Sequence, residues 1–164
     1  MNVPADQTSG FPPRPAGHGF DASIEIDAPP EQVWAVLADI DSWPNWNPIY
    51  PEVSGMPVQG SELALTVALP GAKPQKTRAK VSCVVDGCAI HFGAVVMLGM
   101  LKAVRFVEVH PIDNGRTLVI NGEVFSRLFG PLLAKFAGQA IEHSMNKQNA
   151  GLKQAVEART VATE

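Results

Sequence analysis

The stretch 129-FGPLLAKFAGQAIEHSMNKQNAGLKQAVE-157 decides the fold of this chain of 164 residues. Most of its apolar residues are three or four positions apart, the spacing that puts side chains on one face of an α-helix. They are Phe129, Leu132, Leu133, Phe136, Ala140, Ile141, Met145, Leu152 and Val156. Pro131 fits a first helical turn, where the missing N–H leaves no hydrogen bond unmade. A helix of this length spans roughly 40 Å and needs a partner for its apolar face. The segment therefore predicts one long C-terminal helix over about 129–157.

The sequence upstream alternates apolar and polar residues, which is typical of half-buried β-strands. The alternation covers residues 20–27, 61–69, 75–85, 88–96, 102–110 and 116–126. Asp86-Gly87 and Asp113-Asn-Gly115 are turn signals between strands, so successive strands should form hairpins. A two-residue loop at Asp86-Gly87 would place Val85 opposite Cys88, with Ile90 and Phe92 on the buried side and His91 outward. Between the first two strands, Pro29-Pro30 opens one short helix, and Pro44 and Pro48 break a second. The order predicts an α+β domain, a curved seven-stranded antiparallel sheet wrapped around the long C-terminal helix.

Composition limits the classes of function. The net charge is −3 with mixed signs, and without a basic stripe this argues against nucleic acid as a partner. Apolar runs are too short for a membrane span, and the N-terminus lacks the pattern of a signal peptide, so we expect a cytoplasmic protein. Cys83 and Cys88 are expected to be reduced thiols. The four histidines have no metal-ligand spacing, and the sequence predicts neither a metal nor a cofactor.

The sequence divides into three parts. Residues 1–19 are rich in proline and glycine with little to bury, which favours a disordered or loosely docked arm. Residues 20–158 form the predicted domain. Residues 159–164 are expected to be a flexible tail.

Several dispersed motifs resemble the START/Bet v 1-like (SRPBCC) superfamily, and more narrowly its bacterial polyketide cyclase/dehydrase branch. They are 26-IDAPPEQVWAVLADIDSWPNWNP-48, 110-HPIDNGRT-117, 122-GEVFS-126 and 149-NAGLK-153. The resemblance covers about residues 20–157. It implies a helix-grip fold with an apolar ligand cavity between the sheet and the C-terminal helix. The fold hosts carriers, receptors, enzymes and co-chaperones, so it does not by itself select a function.

Such a cavity would be lined by the inward faces of strands and helix. Alternation indicates Leu65, Val67, Val81 and Cys83, and the helical stripe adds Phe136, Ala140, Ile141 and Met145. The resemblance adds Val107, Val109, Val119, Asn121 and Phe125, and Trp46 is expected to border the mouth. This apolar set with few polar groups is what a small hydrophobic ligand requires.

The last two strands carry the only candidate chemistry. The resemblance favours Arg105 and Glu123 facing inward, where a buried carboxylate would need a cation as partner. The pair would orient a ligand carbonyl or hydroxyl, or transfer protons if burial raised the pKa of Glu123. The alternative is an exposed or purely structural salt bridge. Alternation alone favours the opposite parity on the last strand, with Leu118, Ile120 and Val124 inward. A shift of one residue in the pairing register would move every side chain of the last strand, including Glu123, to the opposite face of the sheet.

Three functions follow from these observations. The favoured one is non-catalytic binding of a lipid, a sterol or a polyketide-like molecule. The second is a cyclase or dehydratase (a lyase) that uses Glu123 and Arg105 as catalytic residues. The third is a protein-interaction module, or a homodimer, that docks through the outer face of 118–124.

Overall fold

The computed structural model describes residues 10–161. The strands are β1 (His18–Ile26), β2 (Glu52–Gly55), β3 (Glu62–Val67), β4 (Gln75–Val85), β5 (Ala89–Val96), β6 (Leu101–Ile112) and β7 (Arg116–Ser126). The helices are α1 (Pro30–Ala38), α2 (Trp43–Trp46) and α3 (Gly130–Val161). Within the described residues, no helix is both long and apolar enough for a membrane crossing.

The seven strands form one sheet in the order β1-β7-β6-β5-β4-β3-β2, and each neighbouring pair is antiparallel. Helix α3 lies across the inner face of the sheet and packs mainly on β1 and β7. Helices α1 and α2 lie between β1 and β2 in the chain. The predicted helix-grip architecture is therefore confirmed. Strand β2 has only four residues, too few to produce a clear alternation, and the sequence did not locate it.

The two short helices close one end of the inner core. The rings of Trp43, Tyr50 and Phe92 lie 5.6–6.0 Å apart in this region. Near it, a Cβ added to Gly151 of α3 would overlap the carbonyl oxygen of Trp46. Glycine at this position therefore lets α3 lie directly against α2.

A β-bulge changes the facing of β4. Val81 pairs with Phe92 and Cys83 pairs with His91, so β4 has one extra residue, Ser82, between the two pairs. Paired residues share a face, and an extra residue turns the following side chains over. The expectation that Cys83 faces inward is therefore wrong. Its place in the inner core is taken by Val84, opposite Ile90.

Of the described part of the predicted arm, residues 18–19 belong to β1 rather than to the arm. Residues 10–17 contact the outer face of the sheet. The Phe11 ring stacks on His110 with centroids 4.0 Å apart. Arg14 donates two hydrogen bonds to Glu108, from Nε at 2.9 Å and Nη2 at 2.7 Å. Disorder stays a prediction for residues 1–9, and flexibility for residues 162–164, which lie outside the described residues; α3 itself continues to Val161.

The outer face of 118–124, through which the third candidate function would dock a partner, is buried. Phe106, Leu118, Ile120 and Val124 form an apolar cluster and are each less than a tenth exposed. Arg14 adds to the cover, with its Cζ 5.0 Å from the centroid of the Phe106 ring. Docking of a protein through 118–124 would first require the arm to move. The homodimer stays a prediction.

Candidate functional site

The pairing of β6 with β7 brings Arg105 opposite Glu123 on the inner face. Val119 and Phe125 of β7 belong to inner clusters, whereas Leu118, Ile120 and Val124 form the outer one. The parity implied by the family resemblance is thus the observed one. Alternation failed on this strand because both faces are covered, and a doubly buried strand has no polar face.

Arg105 lies at the centre of a buried polar network. Its Nη2 donates to Glu123 Oε2 at 3.1 Å, and its Nη1 donates to Asn121 Oδ1 at 3.2 Å and Gln148 Oε1 at 3.3 Å. The Arg105 side chain is 3% exposed and that of Glu123 is 18% exposed. The cation is therefore enclosed, while its carboxylate partner reaches solvent.

The network continues onto α3 and β1. Asn121 Nδ2 donates to Asn149 Oδ1 at 3.3 Å, and Asn149 Nδ2 donates to the carbonyl oxygen of Ala22 at 3.2 Å. This polar band separates two apolar parts of the interior. One is the aromatic core near α1 and α2, and the other is a smaller cluster under the start of α3, with Phe125 and Ile141 at its centre.

Tyr50 and Arg105 affect each other's protonation. Burial raises the pKa of Tyr50 to about 12, although Arg105 opposes the shift, so the phenol stays protonated at neutral pH. Burial acts to lower the pKa of Arg105, but the Glu123 carboxylate and Tyr50 outweigh it and raise that pKa. The guanidinium therefore stays charged inside the protein. Its Nε has no hydrogen-bond partner among the residues that the structure describes.

Ten of the fourteen side chains predicted to bind ligand are buried or half-buried in the inner clusters. Leu65, Val67, Val81, Val107, Val109, Val119, Phe125, Ile141 and Met145 pack there, and Trp46 is half-buried beside them. Asn121 joins them as part of the polar band. Their facing agrees with the prediction, whereas their role in binding stays a prediction.

Two helical residues of the predicted set face outward. Phe136 is 76% exposed, and Ala140 is also exposed. The inner face of α3 follows the i, i+4 row of Leu133, Ala137, Ile141 and Met145. Ala140 precedes Ile141 by one residue, which is about 100° around the helix. The expectation that Phe136 and Ala140 face the cavity is therefore wrong.

The sequence analysis missed Tyr50, Gln148 and Asn149. Gln148 and Asn149 are polar residues within the apolar stripe of α3, between Met145 and Leu152, and each is at most 3% exposed. Polar residues on a buried stripe are the signal that could have revealed the network. Tyr50 is the single tyrosine of the chain, but no pattern around it predicts its contact with Arg105.

Surface cavities lie away from the polar band. One of about 650 Å³ on the outer face is lined by Lys80, Ser82 and His91 together with prolines of the arm. Two of about 500 and 400 Å³ lie beside Trp46 and Gly151. Arg105 does not line any of these three cavities.

The outer face has an ionic cluster of its own. Glu108 accepts from Arg14 and lies 3.1 Å from His110 Nε2. Burial acts to raise the pKa of Glu108, but the hydrogen bonds from His110 and Arg14 outweigh it and lower that pKa to about 2. Burial lowers the pKa of His91, which lies near this cluster. Glu108 is therefore an ionised, hydrogen-bonded carboxylate.

The fold is that of the Bet v 1-like, SRPBCC class. Residues 18–157 match the family described as "Polyketide cyclase / dehydrase and lipid transport". The chain belongs to this family. A comparison with curated protein sequences gave no match.

Solved structures with the same fold come from several organisms. The Zhui aromatase/cyclase of Streptomyces sp. R1128 is 15% identical with a TM-score of 0.71, over 87% of this chain and 94% of that one. A protein of Thermus thermophilus is 18% identical (TM-score 0.69; 86% and 98% covered). A point mutant of norcoclaurine synthase of Thalictrum flavum, in complex with a transition-state analogue, is 14% identical (TM-score 0.67; 87% and 95% covered). At these identities the likeness establishes the fold alone.

Proposed function

We propose that this protein binds a small, mainly hydrophobic molecule that carries a carbonyl or hydroxyl oxygen. The ligand would lie between the inner face of the sheet and the first half of α3. Its apolar body would contact the cluster around Phe125 and Ile141, and its oxygen would accept from Arg105. A cytoplasmic location stays a prediction.

The observation that carries this proposal is the Nε of Arg105. It is a buried donor without an acceptor among residues 10–161, and an unpaired buried donor is costly and rare. A ligand oxygen beside Nε would satisfy it. Three hydrogen bonds from Nη1 and Nη2, to Asn121, Gln148 and Glu123, hold the guanidinium in place.

The first half of α3 is the part of the helix that can move away from the sheet to admit a ligand. Phe20, Phe129, Leu133 and Ala137 are only half-buried there, whereas Leu152 and Val156 in the second half are at most 2% exposed. Lifting the first turns of α3 would break fewer apolar contacts than lifting the last ones. A ligand that enters beneath the first turns would replace contacts that are incomplete.

A pair of tryptophan substitutions on α3 tests where the ligand lies. Ala137→Trp would fill the inner cluster, whereas Ala140→Trp places the same side chain on the exposed side of the same helix. We expect the apolar dye Nile red to bind the wild type and Ala140→Trp and to lose affinity for Ala137→Trp. Native mass spectrometry should show one bound molecule per chain. Equal dye binding by the two variants would contradict the proposed location.

Two aromatic compounds of nearly equal shape test the role of Arg105. Acetonaphthone has a carbonyl oxygen that ethylnaphthalene lacks. The wild type should prefer the ketone, and Arg105→Met, checked for folding by circular dichroism, should bind the two compounds equally. The matched control is Arg116→Met, because Arg116 makes an exposed ion pair with Glu25 and lies far from the inner network. A preference for the ketone that survives in Arg105→Met would rule out Arg105 as the donor.

A second candidate function is cyclisation or dehydration of a polyketide-like chain, with Glu123 moving the proton. The partial exposure of Glu123 beside a fixed cation favours it, because a proton-transferring carboxylate must reach its substrate. In this case Glu123→Gln should retain ligand binding and lose turnover of a poly-β-ketone substrate. The control is Glu25→Gln. A wild type that binds without turnover leaves ligand binding as the function.

A further inference from the structure

An apolar surface with basic residues around it lies at one end of the molecule. It combines the β5–β6 turn with the start of α3. Its residues, here called the apolar tip, are Val96, Met97, Leu98, Met100, Leu128, Leu132 and Phe136, and each is at least 36% exposed. Leu98 is 100% exposed and Leu128 is 73% exposed. Exposed residues so numerous and so close together usually mark a contact surface.

Hydrogen bonds join the two halves of the tip into one surface. Arg127 Nη1 donates to the carbonyl oxygen of Gly99 at 2.7 Å, and Phe129 N donates to that of Met100 at 3.1 Å. Leu128 lies between these two links. Leu132 and Phe136 follow it at intervals of four residues on α3, away from the inner row. The apolar surface therefore extends from the turn along the back of the helix.

The backbone of the turn holds the apolar side chains out. Met97 and Leu98 both have φ of 54°, in the left-handed region that large apolar residues rarely adopt. Hydrogen bonds from Gly99 N to Val96 O and from Met100 N to Met97 O close the turn. Two consecutive apolar residues are thus displayed at the tip of a tight turn, where they contribute little to the core.

The charged residues in the two segments that form the tip have one sign. Residues 95–102 and 126–137 include Lys102, Arg127 and Lys135 and contain no aspartate or glutamate, although the whole chain has a net charge of −3. A second copy of the chain would bring like charges together. An anionic partner would be attracted. The apolar tip protrudes and has lysines beside it, which suits binding to a lipid bilayer. Its apolar side chains would insert among the acyl chains, and its lysines would contact the headgroup phosphates.

We propose that the apolar tip docks onto anionic lipid membranes, with Leu98 inserted among the acyl chains and Lys102 and Lys135 at the headgroups. The residues of the tip do not belong to the inner clusters that would hold the ligand. Membrane binding and ligand binding are therefore measured separately, and either proposal can fail without the other.

Sedimentation with vesicles tests the docking. The wild type should pellet with phosphatidylcholine vesicles that contain phosphatidylglycerol, and much less with phosphatidylcholine alone. Leu98→Glu should reduce the bound fraction about tenfold, while Met56→Glu, at an exposed apolar residue elsewhere on the surface, should not. Lys102→Gln and Lys135→Gln should each weaken binding about fivefold. Lys73→Gln, an exposed lysine outside the tip, is their control.

Fluorescence distinguishes insertion from adsorption. Leu98→Trp should shift its emission to the blue on anionic vesicles, and Met56→Trp should show no such shift. Circular dichroism of each variant checks that it is folded. Absence of vesicle binding by the wild type, or equal binding by Leu98→Glu, would overturn the proposal. A wild-type dimer that Leu98→Glu converts to a monomer would overturn it in favour of a second copy.

Discussion

The two faces of the sheet each hold an arginine–glutamate pair, but the buried partner differs. On the inner face Arg105 is 3% exposed and Glu123 18%. On the outer face Glu108 is 3% exposed and Arg14 43%. The inner pair thus buries its cation on a strand, and the outer pair buries its anion under a cation from the arm.

Because of this difference, the two ion pairs suit different roles. Arg105 belongs to β6 and cannot leave the interior, so its charge always needs oxygen atoms around it. Arg14 belongs to the arm and can turn to water when the arm moves, while Glu108 keeps its contact with His110. The inner pair suits recognition of a ligand, and the outer pair suits fastening of a segment.

The largest expected effect comes from removing the carboxylate of the inner pair. Glu123→Leu leaves Arg105 buried without its anion and should lower the free energy of unfolding by about 3–5 kcal/mol. Replacing both residues, as Arg105→Met with Glu123→Leu, should recover most of the loss. Urea denaturation measures each value.

The control for this prediction is the exposed pair of Arg116 and Glu25, which joins β7 to β1. Glu25→Leu should cost only about 0–1 kcal/mol. If Glu123→Leu costs no more than Glu25→Leu, the inner pair is solvated and the contrast between the two faces disappears.

A smaller loss is expected on the outer face. Glu108→Gln leaves a cation that can rotate into water, so the cost should be about 1–3 kcal/mol from lost hydrogen bonds to a buried group. Limited proteolysis should then cut within residues 10–17 faster than in the wild type. A cost equal to that of Glu123→Leu, with no faster cleavage, would mean that Arg14 is as fixed as Arg105.

The smallest effect is a dependence of stability on acidity. The pKa of Glu108 is lowered from 4.5 to about 2 in the folded protein, so its contribution is complete above pH 4.5 and is lost as the pH falls towards 2. Part of it should survive protonation, because a neutral carboxyl group still accepts hydrogen bonds. Melting temperatures of the wild type and Glu108→Gln should therefore converge as the pH falls through this range. Parallel curves would show that Glu108 has an ordinary pKa.

The order of elements could be predicted from the sequence because each strand and α3 has a strong local pattern. It was harder to predict which side chains point into the core where tertiary contacts determine their orientation. On β7, burial of both faces removed the alternation, and only the family resemblance gave the observed parity. On α3, Phe136 and Ala140 looked like core residues, yet the sheet covers the row one residue away.

The β4–β5 hairpin has two irregularities that the sequence did not predict, and their effects on the pairing register cancel. The turn after β4 is one residue longer than expected, since Val85 pairs with Ala89 rather than Cys88. The bulge at Ser82 adds a second shift, so Ile90 and Phe92 still face inward and His91 outward, as predicted. Neither irregularity has a clear sequence signal. The partners of Arg105 on α3 and at Tyr50 depend on long-range packing, which local patterns do not record.

Because Ser82 is an extra residue, the inner-facing positions of β4 change from odd to even numbers at the bulge. Polar substitutions should be least tolerated at odd positions up to Val81 and then at the even position Val84. A sequence alignment that ignores the extra residue Ser82 would be shifted by one position along the strand. It would then compare inner residues of one protein with outer residues of another. Ancestral reconstruction or consensus design across this strand must therefore keep the insertion, or it will exchange the interior and exterior chemistry of the sheet.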